Sequence, residues 1–104
     1  MDNIKKAILK TYKQMKKDGI IKKSLPILFT CKGGKIGGQC TSIRGNNNIF
    51  TPLYISIDLI HDFEPSYILL HEVSHQIQIE KNNNKGHDKR FKNTLNKLIK
   101  TYGY

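Results

Sequence analysis

Leu69-Leu70-His71-Glu72-Val73-Ser74-His75 is the stretch on which the reading of this chain turns. Leu69, Leu70, Val73 and Ile77 recur with helical spacing, so an HExxH run sits inside an amphipathic helix. Side chains four residues apart lie one above the other on a helix, which puts the imidazoles of His71 and His75 on one side of a single metal ion. Glu72 projects beside the pair, where a carboxylate can reach a metal-bound water without being a ligand. Two unrelated surface histidines on a helix are the plainer alternative, and they would give no reason for the adjacent glutamate.

A hydrolytic zinc site takes three protein ligands and leaves one position open. His87 is the leading third ligand: it lies twelve residues beyond His75, after the break Lys81-Asn82-Asn83-Asn84-Lys85-Gly86, at the start of the next helical pattern. His61 precedes the helix and could approach only from the connector. Glu80 is five residues past His75 and points away from the pair, and Asp88 reads as a helix cap or a partner to a ligand. The expected site is therefore His71, His75 and His87 on one zinc ion, with Glu72 as the catalytic base.

Pro65 suits the first turn of the metal helix, expected from about Pro65 to Glu80, with Asp62 or Glu64 near its positive end. Phe91, Leu95, Leu98, Ile99 and Tyr102 mark a last helix from about Asp88. At the other end, Ile4, Ile8, Tyr12 and Met15 form a stripe over Asn3–Lys17, closed by Asp18-Gly19. Between these lie three β-prone runs: Leu25–Cys31, a strand ending near Ile43, and Ile49–Ile57. Gly33-Gly34 and Arg44–Asn48 read as turns, so the strands are expected to form an antiparallel meander. The four glycines of 33–38 lack the GxxxxGK[ST] pattern of a phosphate loop. The fold class is α+β: N-terminal helix, three-stranded meander, HExxH helix and C-terminal helix, in a single domain over 1–104.

The chain of 104 residues is 38% apolar, with no apolar run long enough to cross a bilayer. Lysines interrupt the N-terminal apolar residues, so no signal peptide is read and the expected location is cytoplasmic. Cys31 and Cys40 form no CxxC. They could face each other across a hairpin, and in the cytoplasm they are expected to be reduced thiols.

The net charge of +10 is unevenly spread. Residues 1–24 carry eight lysines against Asp2 and Asp18, residues 81–104 carry seven basic residues against Asp88, and the centre is slightly acidic. Clustered lysines can contact nucleic-acid phosphates without reading sequence. Sixteen lysines against two arginines argue against base-specific recognition, which favours the bidentate guanidinium. A lysine-rich composition alone would look the same.

Leu69–His75, the following Gly86-His87-Asp88-Lys89-Arg90-Phe91, and the strand Leu53-Tyr54-Ile55-Ser56-Ile57 together resemble the SprT-like (Spartan-type) metalloprotease domain, over roughly Ile4 to Tyr102. Compact HExxH proteases with a YgjP-like core are similar over the same motif. The resemblance implies a minimal zincin-like core, zinc on His71, His75 and His87, Glu72 as base, and a protein or peptide substrate held near DNA. Asp88 stands where the family often has glycine, and no zinc ribbon follows within the sequence, so only the minimal catalytic domain is implied. The competing expectation is a non-catalytic, zinc-stabilised module that binds nucleic acid through its lysines.

Overall fold

The computed structural model describes residues 2–103, in the order α1 (Asp2–Lys17), β1 (Ile27–Thr30), β2 (Gly38–Arg44), β3 (Phe50–Asp58), α2 (Pro65–Asn82) and α3 (Lys89–Tyr102). The class is α+β, with α2 packed against β2 and β3 of a three-stranded sheet and α1 and α3 packed against α2. No helix among the described residues is long and apolar enough to cross a membrane.

α1 forms where the sequence stripe places it and buries Ile8, Tyr12 and Met15. It ends at Gly19, whose φ of +75° suits glycine and lets Ile20 N–H reach back to the Met15 carbonyl at 3.0 Å. α2 lies at the centre of the molecule. Ile68–Leu70, Glu72–Ser74 and Gln76–Ile79 are all buried, as expected of a helix covered on most of its circumference. Tyr67, His71 and His75, each four residues apart, remain as a half-buried stripe.

The sheet corrects the expected meander. Its order is β1-β3-β2: β1 runs parallel to β3, with Ile27 opposite Ile55 and Thr30 opposite Asp58, and β2 runs antiparallel to it. Only the β2–β3 turn is a hairpin. The reason lies in β3, whose Ile55 and Ile57 are fully buried and belong in a central strand with neighbours on both sides. The glycine-rich segment after β1 therefore crosses the end of β3 instead of closing a tight turn. Asp58, the last residue of β3, fixes that crossing: its carboxylate accepts from Gly33 N–H at 2.8 Å and Ile60 N–H at 3.0 Å. Its own N–H donates to the Gly37 carbonyl at 2.8 Å.

Two further expectations change with this topology. Cys31 and Cys40 belong to opposite edges of the sheet, so no hairpin brings them together; both are free thiols, Cys31 exposed and Cys40 buried. Pro26 does precede an edge strand, as its missing N–H suggests. Pro52 is tolerated in the central strand because β1 pairs only from Ile55 onward, and β2 is irregular between Thr41 and Ser42, at the point opposite it.

Candidate metal centre

His71 and His75 share the open stripe of α2, and the loop after that helix returns to bring His87 against them. The return is tightly specified. Asn83 ends α2 in the left-handed conformation (φ 51°), and its side chain accepts from Phe50 N–H at 2.6 Å and donates to the Asn48 carbonyl at 2.8 Å. Asn84 donates to Asp88 at 2.9 Å and accepts from Gly86 N–H at 3.1 Å. Asp88 then caps α3 through Phe91 N–H at 3.1 Å and pairs with Arg90 at 3.2 Å. Of the two roles considered for Asp88, the structure assigns it the cap.

The three histidines each offer a ring nitrogen, and these atoms lie within 4.8 Å of one another. The closest approach is 2.9 Å between the Nε2 atoms of His75 and His87. Two nitrogens about 2.0–2.1 Å from a tetrahedral ion stand roughly 3.3 Å apart, so His75 and His87 need only ease apart by tenths of an ångström, while the more widely spaced donors must draw in to share one ion. Phe91 is buried and forms the floor, its ring centroid 5.1, 4.4 and 4.7 Å from those of His71, His75 and His87. The donor set fits a metal ion.

Glu72 lies beside the triad, with a carboxylate oxygen 4.0 Å from His71 Nε2. It is only 5% exposed, and burial pushes its carboxyl up to about 7, against a smaller opposing effect of the Cys40 backbone N–H. Burial also lowers His75 to about 4, with the neighbouring His71, His87 and Lys85 adding to the effect. His71 is lowered by burial and then by His87. At neutral pH His71 and His75 are thus uncharged, the form a metal requires. The Cys40 thiol lines the same cleft but is pushed up to about 12, chiefly by burial, and stays protonated.

The other residues weighed as ligands lie elsewhere. His61 hydrogen-bonds through Nε2 with the Lys35 carbonyl at 3.2 Å and accepts Phe63 N–H at Nδ1. Glu80 faces the back of α2, accepting from Lys22 and Lys23 N–H. There it joins a network in which Tyr12 donates to the fully buried Gln76 at 2.7 Å and Gln76 donates to the Lys23 carbonyl at 2.7 Å. Spacing did not reveal Gly38, Cys40 and Lys85 as lining of the histidine cleft, because they come from other elements. Tyr67 was detectable, standing four residues before His71. Comparison with protein-family models, with curated proteins and with solved structures finds no match to this chain.

Proposed function

We propose that the chain is a zinc-dependent metallopeptidase of SprT-like type, acting on protein or peptide in the cytoplasm. One observation supports it above all: three histidines converge within 4.8 Å, with a buried glutamate beside them. Bound by His71, His75 and His87, zinc would supply Lewis acidity and lower the pKa of its water. Glu72 is the proton acceptor in this reading. Its carboxylate, buried beside the triad, can take a proton from water and return it to the leaving amine.

The cleft also has a place for an extended substrate. β3 is paired on both sides, whereas β2 has one free edge and lines the histidine cleft at Gly38–Cys40. A peptide added to the β2 edge would lie across the site. The exposed lysines of α1 and α3 would let the enzyme act on proteins associated with nucleic acid.

The reading is tested by metal analysis and casein cleavage for the native protein and for Glu72→Gln, with and without single-stranded DNA. The expected result is one zinc per chain in both proteins and cleavage in the native one alone. Equal function in Glu72→Gln, abolished instead by lysine-to-glutamate changes in residues 5–23, would favour the non-catalytic nucleic-acid module.

A further inference from the structure

Beside the metal cleft opens a second cavity of about 370 Å³, whose walls include Ile36, the Gly37-Gly38 backbone, His61, Phe63 and Tyr67. It shares Gly38, His71 and Glu72 with the histidine cleft, so whatever fills it lies next to the reacting groups. Four rings form a continuous run towards the triad, with centroid separations of 5.3 Å for His61–Phe63, 5.8 Å for Phe63–Tyr67 and 6.5 Å for Tyr67–His71.

The pocket is built, and its apolar groups are left in water. Phe63 is 60% exposed and Ile36 73% exposed, although both are large hydrophobic side chains. His61 is pinned on both ring nitrogens, by the Lys35 carbonyl and the Phe63 N–H. Glycine is required at Gly38 on the shared wall, where a Cβ would fall 2.4 Å from Ile68 Cγ2 and 2.8 Å from the Ser56 carbonyl oxygen, and a Cβ at Gly37 would crowd His61 Nδ1 at 3.0 Å. The volume lies at the small end of the range for ligand sites, about 300–1,000 Å³, and suits one large side chain.

From this geometry we infer that the cavity is a specificity subsite for one aromatic or large aliphatic side chain of the peptide substrate, next to the scissile bond. The inference rests on the metallopeptidase reading. In it, Phe63 and Tyr67 offer ring faces and edges to the incoming side chain, and Ile36 closes over it. The β2 edge would hold the substrate backbone while the pocket selects the residue beside the cut.

Two measurements on the zinc-loaded protein test it. In amide NMR spectra, N-acetyl-phenylalanine amide should shift the signals of Ile36, Gly37, Phe63 and Tyr67, and N-acetyl-serine amide should not. In a mixed peptide pool, cut sites should carry Phe, Tyr or Leu at one fixed position next to the cut. Phe63→Ala or Ile36→Ser, both at exposed positions, should reduce that preference, measured as the ratio of kcat/KM for Phe and Ala peptides, by about tenfold or more. Equal or absent shifts with the two probes, or cleavage with no such preference, would overturn the subsite while leaving the peptidase reading intact. Selective binding of the phenylalanine probe with no cleavage of any peptide would support the pocket's chemistry and overturn the peptidase reading.

Discussion

Glu72 is held in an environment that costs stability. Its folded-state pKa of about 7 lies above its ordinary 4.5, so the folded chain binds the proton more tightly than the unfolded chain. Its contribution to stability is therefore lost as pH rises from about 4.5 to about 7. His71 and His75 act in the opposite sense. Both lie below their ordinary 6.5, so their contribution is lost as pH falls through that value, down to about 4 for His75. Glu72→Gln separates the two effects. In metal-free protein it should raise the pH 8 melting temperature, by an amount on the order of a few kcal/mol of stability, and leave the pH 4 value nearly unchanged. Thermal unfolding at the two pH values checks this, and a variant less stable than native at pH 8 would contradict it. With zinc bound, the same variant should keep its metal and lose about 10²- to 10⁴-fold in kcat.

The HExxH helix and its third histidine were legible because helical spacing fixes which side chains meet, and the Gly86-His87 step places a donor at the start of the next helix. The loop between these helices was not legible as a positioning device. Three consecutive asparagines look like a solvated break, yet Asn83 and Asn84 are tied to the β2–β3 hairpin and to Asp88. Asp88→Ala should cost about 1 kcal/mol through the lost cap and weaken zinc binding about 10- to 100-fold by loosening His87. Chemical unfolding and competitive metal titration measure the two losses. Unchanged zinc affinity would mean that the cap does not position the ligand. On the buried side of α2, Tyr12→Phe removes the hydroxyl that donates to Gln76 and accepts Leu25 N–H at 2.9 Å. It should destabilise the fold by about 1–3 kcal/mol, because it leaves buried partners unpaired. Denaturant unfolding would show it, and a neutral effect would contradict the role given to this network.

Across the whole molecule, the class and the order of elements followed from periodicity, but the strand order did not. A glycine-rich connection can close a hairpin or cross a strand end with the same composition. What decides here is Asp58, whose carboxylate captures the crossing loop, and the burial of Ile55 and Ile57, which puts β3 in the middle. The net charge of +10 gives the surface a second expected property. Binding to single-stranded DNA should be indifferent to sequence and should fall steeply between about 50 and 200 mM salt, as counterion release requires. Fluorescence anisotropy with two unrelated oligonucleotides checks it, and a salt-independent or sequence-selective interaction would contradict it.

The histidine triad and Glu72 can be tested together in one preparation. Casein cleavage is measured on protein stripped of metal, then again after one equivalent of zinc is restored, with Glu72→Gln treated in parallel. The expected result is no cleavage by the stripped protein, cleavage on addition of a single equivalent, and a rate lower by about 10²-fold or more for the zinc-loaded variant. Cleavage that survives removal of the metal, or that Glu72→Gln performs as well as the native chain, would contradict it.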